Sequence, residues 1–311
     1  MSPKCKGLSL VSGGLDSRLA VCVCRDAGAY MEGVCFTSVF FGAPVGRAVP
    51  CPPPAAAEAA EQLKIKLHVI DFTDDEIALI KNPPHGFGGA MNPCIDCHAT
   101  MIKRAGELMT KLGFDFVSTG EVMGQRPMSQ NKQSLGIVER SSGLGGRLLR
   151  PLSAKLMDPT IPETEGLLDR DKLLDIQGRG RERQIELAAH YGLTDYPSPA
   201  GGCKLTEDAF GRKLRDLMDH EGLDNRELVD LIVVGRRFRF PDGTSVMLGR
   251  DARENEILES HAHLGTIVKD DSLPGPTALV IGSADAKPLV AAYSRGTTAA
   301  DRTPFKPYQI M

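Results

Sequence analysis

Tryptophan is absent from this 311-residue chain, and aromatic residues make up only 5% of it. A broad platform of rings for stacking the bases of a single strand is therefore not expected. An excess of one charge is missing too: 37 Lys and Arg stand against 40 Asp and Glu, a formal net charge of −3. The molecule is no polycation, so any RNA contact must come from local basic patches. The sequence shows no signal-peptide layout and no apolar run long enough to span a bilayer. It reads as a cytoplasmic protein with no membrane partner. Eight cysteines in such a compartment argue against a disulfide framework and for metal or catalytic use of some of them. The length allows two or three domains with a sizeable core in the first.

Short apolar runs alternate with helical stretches through about residue 150, which predicts a parallel α/β domain. Expected strands are 8–11, 31–37, 67–71 and 114–119, with helices over 15–27, 55–63 and 99–112. Pro and Gly concentrate at 42–54 and 82–93 and mark two long loops. From Arg179 the pattern turns helical, over 181–191, 207–221 and 226–234. Pro241-Asp242-Gly243 is then a turn between two short strands, followed by a charged helix over 251–261. The expected organisation is a domain over 1–175, a helical segment over 176–225 carrying Cys203, and a small α+β domain over 226–311.

Between the first strand and the first helix lies Ser12-Gly13-Gly14-Leu15-Asp16-Ser17. Strand, Gly-rich turn and helix start are the parts of an anion site. The glycines let backbone approach a phosphate, the helix N-terminus presents free N–H groups, and Ser12 and Ser17 add hydroxyls. Neither a Walker loop nor the dinucleotide Gly-x-Gly-x-x-Gly pattern is present. The plain alternative is a Ser/Gly-rich turn that happens to precede a helix. Asp16 is a candidate Mg²⁺ or pyrophosphate-orienting carboxylate; alternatively it only complements the helix N-terminus.

Cys94-Ile95-Asp96-Cys97 places two thiols three positions apart, able to hold one metal from a single turn. Cys203 follows two glycines that would let its thiol face a bulky group, and His98 could close a four-ligand zinc site. Cys5, Cys22, Cys24 and Cys35 fall in strand and helix patterns and read as core, while Cys51 sits unassigned in a Pro-rich loop. Arg179, Arg181 and Arg183 before one helix, and Arg236, Arg237 and Arg239 before the Pro-Asp-Gly turn, are candidate phosphate contacts. A solvated surface is the alternative meaning of both triplets.

The hexapeptide at 12–17 resembles the pyrophosphate loop of the PP-loop ATP pyrophosphatases, which adenylate a carbonyl oxygen and release pyrophosphate. Asn92-Pro93-Cys94-x-x-Cys97 resembles the nucleophile segment of MnmA-type tRNA 2-thiouridylases, with Cys97 on the catalytic position and Cys203 corresponding to the second Cys. Ser118-Thr119-Gly120-Glu121-Val122-Met123-Gly124-Gln125, with Ser129-Gln130, resembles instead the ThiI-type 4-thiouridine synthetases. The resemblance covers about residues 5–215. It implies ATP-dependent tRNA thiolation at a 2- or 4-position, with Cys97, Cys203 and Asp16 catalytic. The implied nucleotide set is Ser12, Gly13, Gly14, Leu15, Asp16 and Ser17, with Phe36, Thr37, Gly120, Glu121 and Gln125.

For the thiols the resemblance implies a 4Fe–4S cluster on Cys94, Cys97 and Cys203 with one open iron for sulfur. The competing scheme is cluster-free: Cys97 carries a persulfide or acts as nucleophile, and Cys203 resolves it through a disulfide. Zinc is a third option. Implied partners are tRNA and a sulfur donor, either hydrosulfide or a cysteine desulfurase or sulfur carrier. Gly249-Arg250 through Asn255-Glu256 resembles the Gly-Arg-x-x-x-x-Asn-Glu signature of the NFACT-R RNA-binding domain, adding Arg250 to the RNA set. The alternative for this tail is a dimerisation or capping module, which would make the chain a homodimer. Two rival functions stand beside this one: an adenylating sulfurtransferase or ligase acting on a small molecule, and an RNA-binding or iron–sulfur sensor with a vestigial loop.

Overall fold

The computed structural model describes residues 4–45, 50–126, 129–198, 203–270 and 272–311. The chain divides into two compact units, the first reaching Gly202 and the second running from Cys203, with 44–48 and 89–91 also assigned to the second.

The first unit is built on five parallel strands, β1 (Lys6–Leu10), β2 (Tyr30–Thr37), β3 (Leu67–Asp71), β4 (Phe116–Ser118) and β5 (Leu148–Leu149), in the order β3-β2-β1-β4-β5. The central β1 has apolar neighbours on both faces, as a strand covered by helices on both sides requires. One face packs Leu15, Leu19 and Val23 of α1 (Leu15–Asp26), Ala59 and Leu63 of α2 (Pro54–Leu63) and Ala188 of a later helix. The other packs Phe72, which precedes α3 (Thr73–Lys81), with Ile102 and Met109 of α4 (Cys94–Leu112) and Val138 of α5 (Lys132–Ser142). A short α6 (Ile161–Thr164) leads to α7 (Glu182–His190), whose Ala188 lies in the α1 core.

Chain direction reverses between β1 and β4, because β2 and β3 extend the sheet to one side of β1 and β4 and β5 to the other. In open α/β sheets the ligand crevice lies at such a switch, outside the carboxyl ends of the strands. Here those ends lead into Ser12–Ser17 from β1 and into Thr119-Gly120-Glu121 from β4.

The parallel α/β expectation holds, and β3 has the expected limits. Two differences matter. Helix α4 starts at Cys94 rather than Ala99, with Pro93 at its N-cap and Asp96 in its first turn, so both thiols of the Cys-x-x-Cys are helical. Strand β5 is two residues long, too short to stand out as an apolar run.

The second unit contains α8 (Asp208–His220), α9 (Arg226–Asp230) and a five-stranded antiparallel sheet. Its strands are β6 (Arg236–Arg239), β7 (Ser245–Leu248), β8 (Thr266–Val268), β9 (Ala278–Ile281) and β10 (Gln309–Ile310), ordered β10-β6-β7-β9-β8. The expected hairpin is β6–β7, closed at Pro241-Asp242-Gly243 with Gly243 at φ +88 and Asp242 accepting from both the N–H and the hydroxyl of Thr244. Helices α10 (Ala252–Ser260), α11 (Lys287–Tyr293) and α12 (Ala299–Arg302) complete the unit, and Phe238, Val246, Leu248, Val280 and Leu289 form its core. No helix among the described residues is long and apolar enough to cross a membrane.

Candidate functional site

The Ser12–Ser17 loop is held open by its glycines. Gly13 sits at φ +88, and a Cβ there would lie 2.3 Å from the backbone of Ala55. Gly14 is the N-cap of α1, Ser17 Oγ donates to its carbonyl at 2.8 Å, and Ser12 Oγ lies 3.5 Å from Ser17 Oγ. Leu15 points into the core. Behind the loop, the buried Arg18 donates through Nε to the Gly13 carbonyl (3.0 Å) and through Nη1 to Gln62 (2.6 Å) and the Thr194 carbonyl (3.4 Å). Arg18 was not among the expected site residues; its helical position reads as an ordinary surface arginine. Phe36 and Thr37 end β2 as buried residues, Phe36 edge-on to Phe72 at 5.4 Å between centroids.

Gly120 meets the first turn of α1 at backbone distance: a Cβ on it would lie 2.6 Å from Asp16 C and Ser17 N. Gln125 Nε2 donates to Asp16 Oδ2 at 3.1 Å, which brings the expected Gln125 to the loop. Burial pushes the Asp16 carboxyl up, and the Gln125 hydrogen bond with the charges of Arg181 and Arg126 works against it. Its second oxygen, Oδ1, is buried without a donor. Beside it, Gln184 is fully buried with neither amide atom partnered, and Arg181 Nε is likewise buried and unpartnered. Such orphans are costly; at the mouth of an anion loop they mark groups waiting for a ligand.

Arg181 therefore lies at the loop, whereas Arg183 pairs with Asp175 (2.7 Å) on the surface and Arg179 is exposed. The sequence triplet splits because Arg181 is the N-cap residue of α7 and its neighbours point outward.

The thiol turn lies on the other side of Gly120. His98, one turn after Cys94, is bonded through Nδ1 to Glu121 (3.2 Å), and Glu121 accepts from Arg150 Nε (2.9 Å) and Thr119 Oγ1 (3.1 Å). Arg150 is buried and also reaches Glu139 and the Leu135 carbonyl. Burial would raise the Cys94 thiol, but hydrogen bonding to His98, the charges of His98 and Arg126 and a bond to Ser129 outweigh it and lower its pKa. Burial also opposes ionisation of His98 and Glu121. Their bonds to each other, to Cys94 and to Arg150 still raise His98 to about 10 and lower Glu121 to about 2. Cys94 and His98 thus form a thiolate–imidazolium pair anchored on a buried carboxylate, and Glu121 is committed to that chain rather than open to a nucleotide.

Cys97 is set differently. Its thiol donates to Glu76 Oε1 at 3.9 Å inside the apolar core, and burial pushes the Glu76 carboxyl up to about 8 against a 2.8 Å bond from Ser38. Sequence reading missed Glu76, which follows Asp74 and Asp75 and looks there like part of an acidic helix start. Cys203, half-buried, opens the second unit at the start of a 3₁₀ turn over Lys204–Thr206, and Thr206 donates to its carbonyl. The preceding Pro199–Gly202 lie outside the described residues. Among the described residues no three His, Cys, Asp or Glu side chains gather as a metal-binding group. The four cysteines read as core are buried, and burial raises their thiols, Cys5 to about 12 and Cys22 and Cys35 to about 11.

In the second unit, Arg237 is buried and its guanidinium is neutralised by Asp216 and Glu221 at 2.6 Å each, with Arg239 joining the same two carboxylates. That leaves Arg237 no surface to offer a phosphate. Arg236 lies over the Tyr293 ring at 5.2 Å, and Arg250 pairs with Glu254. The Gly-Arg signature has a local reason: a Cβ on Gly249 would lie 2.1 Å from Asn255 Oδ1, and that oxygen accepts from Thr277 N–H at 2.9 Å.

The buried chain at Glu121 makes stability pH-dependent. Glu121 is lowered, so its contribution is complete above about 4.5 and is lost as pH falls toward about 2. His98 is raised, so its contribution is complete below about 6.5 and is lost as pH rises toward about 10. Thermal midpoints of the intact protein should fall on both flanks, and Glu121→Gln should flatten both. Retention of the full wild-type profile in that variant would refute the linkage.

A family model described as thiamine biosynthesis protein (ThiI) matches residues 3–156. Among solved structures, the chain is similar to a 4-thiouridine synthetase in complex with RNA and ATP: 21% identity, 60% of this chain and 42% of that one, TM-score 0.39. It is also similar to a predicted subunit of tRNA methyltransferase from Methanocaldococcus jannaschii (15% identity, 60% and 76% covered, TM-score 0.37). The third is an NH3-dependent NAD synthetase from Campylobacter jejuni (12% identity, 74% and 83% covered, TM-score 0.31). The chain thus spans less than half the length of the synthetase. No curated protein matches it. Loop motif, strand order and family model agree over the same segment, and residues 3–156 belong to the ThiI family as a PP-loop domain.

Proposed function

We propose that the chain is an ATP-dependent tRNA sulfurtransferase. One observation carries this reading: the consecutive residues Gly120 and Glu121 join the two halves of the chemistry. Gly120 abuts the Asp16–Ser17 backbone of the phosphate loop, while Glu121 anchors His98 and through it Cys94. Activation by ATP and sulfur delivery are then neighbours on one strand exit.

A uridine carbonyl oxygen attacks the α-phosphorus of ATP, and pyrophosphate leaves into the Ser12–Ser17 loop, where α1 N–H groups and both serine hydroxyls receive it. Mg²⁺ fits the free oxygen of Asp16 and, when bound, neutralises charge on the phosphates. Arg181 and Gln184 supply further unpartnered donors at the same place. The uridine carbon now carries AMP as a leaving group. Cys94, held as thiolate, takes a sulfur atom from an external donor as a persulfide. The terminal sulfur attacks the uridine carbon, AMP departs, and a second thiol, Cys97 or Cys203, attacks the Cys94 sulfur. This frees the thiocarbonyl and leaves a disulfide that a cellular thiol reductant reopens. Cys94, Cys97 and Cys203 have the right chemistry for a 4Fe–4S cluster, but two thiols on one turn are not a three-donor set, so no step is routed through iron.

The test is single-turnover incubation of the full chain with α-labelled ATP, unmodified tRNA and a persulfide donor. AMP, pyrophosphate and thiouridine should form together and in equal amounts, and thiouridine should be absent without ATP. AMP formation on a small acceptor and none on tRNA would replace this reading with the small-molecule ligase.

A further inference from the structure

We infer that the second unit carries a binding site for a phosphorylated nucleotide, separate from the Ser12–Ser17 loop. An open cleft of about 360 Å³ lies between the β6 and α10 starts and the ends of α11 and α12, lined by Arg236, Arg250, Asp251, Asn255, Tyr293 and Arg302 among others. Three guanidiniums converge there, and two are uncommitted. Arg236 and Arg302 lie over the Tyr293 ring at 5.2 and 5.0 Å, and among the described residues neither forms an ion pair. Arg302 Nε is buried without an acceptor, and its Nη2 has only a long contact to Thr297 (3.5 Å). Arg250 is tied to Glu254.

The one carboxylate in the lining, Asp251, is already used: its Oδ1 caps α10 by accepting from Glu254 N–H at 2.9 Å. The cleft therefore holds an excess of positive charge whose donors are preset. Stacking on one ring fixes the two guanidinium planes, so little side-chain freedom is lost when an anion arrives. A phosphoryl dianion is the group that matches two such forks.

Size decides what is attached to the phosphate. About 360 Å³ falls in the range of small-molecule sites and exceeds what a bare phosphate fills. The polar walls of Asn255 and the Gly249 and Gly275 backbone suit a sugar and a base edge better than an acyl chain. The choice of a nucleotide over another phosphorylated molecule rests on the reading of the chain as a tRNA-modifying enzyme. Its source is either the phosphorylated end of an RNA or a free mononucleotide.

Three ligands separate these sources on the intact protein: a 3′-labelled hexaribonucleotide with a 5′-phosphate, the same hexamer with a 5′-hydroxyl, and cytidine 5′-monophosphate set against cytidine as competitor. Cytidine nucleotides are used so that the adenylate loop contributes nothing. Fluorescence anisotropy should show the 5′-phosphoryl hexamer binding at least about tenfold tighter than its partner, as expected for charge-assisted hydrogen bonds. Arg236→Gln and Arg302→Gln should each erase that ratio. Equal hexamer binding, with the monophosphate still bound in an Arg302-dependent way by calorimetry, would assign the site to free nucleotides. Equal hexamers and a monophosphate no better than cytidine would overturn the site, as would a phosphate preference unchanged in both variants. The wild-type comparison decides even if a variant fails to fold. Because no turnover is read, failure of thiolation leaves these results standing, and failure of the cleft leaves thiolation untouched.

Discussion

Alanine at position 120 is expected to cost at least about 100-fold in ATP-dependent AMP formation, with little change in the unfolding of the second unit. The added Cβ would sit 2.6 Å from the backbone C of Asp16 and N of Ser17 and 2.8 Å from the Asp16 carbonyl oxygen. Backbone cannot rotate away as a side chain can, so either α1 or the β4 exit must move. The first turn of α1 is where the free N–H groups meet the phosphates, and displacement of about 1 Å at such a place costs about 10² in rate. Gly136→Ala is the control: it sits on an exposed helix face, where the nearest atom is the flexible end of Arg140 at 3.3 Å. That variant should keep wild-type turnover. Normal AMP formation in Gly120→Ala would separate the β4 exit from the phosphate loop and undo the proposed coupling.

The second large effect concerns the thiol turn. Cys94→Ser should abolish thiouridine formation, a loss of at least about 10³, because a hydroxyl can neither ionise here nor carry sulfane sulfur. AMP formation in the same variant should survive, since the phosphate loop is untouched. His98→Gln should lower thiolation about 100-fold at neutral pH, within the range of a positioned acid–base group. The reason is electrostatic: the imidazolium and its hydrogen bond hold the Cys94 thiol below its ordinary pKa, so removing them moves the pKa up. Site-resolved alkylation by iodoacetamide reads this directly. In the wild type, Cys94 should react at lower pH than an ordinary thiol, and His98→Gln should shift that profile toward higher pH. A profile that does not move, or one in which Cys97 reacts first, would return the nucleophile's role to Cys97.

Much of this was legible in the sequence. Leu67-His-Val-Ile-Asp71 reads as a strand from its apolar run, and Ser12–Ser17 announces an anion loop by residue type and position. The rest depends on partners distant in the chain. The pairing of Glu76 with Cys97 joins two helices, and a carboxylate beside two other acids gives no sign of which one is buried. His98 is visible as the neighbour of Cys97, which suggests a metal ligand; only the helix from Cys94 puts it one turn from the other thiol. Arginines 236, 237 and 239 look like one basic cluster, yet alternation along β6 sends 237 and 239 to the buried carboxylates and 236 to Tyr293. That alternation was readable once a strand is assumed. Strands β5 and β10 were not, being two residues long and defined by their neighbours.

Arg18 has a consequence for where the working protein can be cut. Its guanidinium links the Gly13 carbonyl to that of Thr194, and Gln62 donates to the same carbonyl at 2.9 Å. The strand that follows α7 thus works like the tongue of a buckle, passed behind the loop and fastened there. A fragment ending at residue 156, where the family resemblance stops, would leave the buckle open, strip Arg181 and Gln184 from the ligand side, and uncover the α1 surface that Ala188 and Leu193 close. The shortest fragment that can be asked to bind ATP ends beyond Thr194, and homology boundaries on this chain are not folding boundaries.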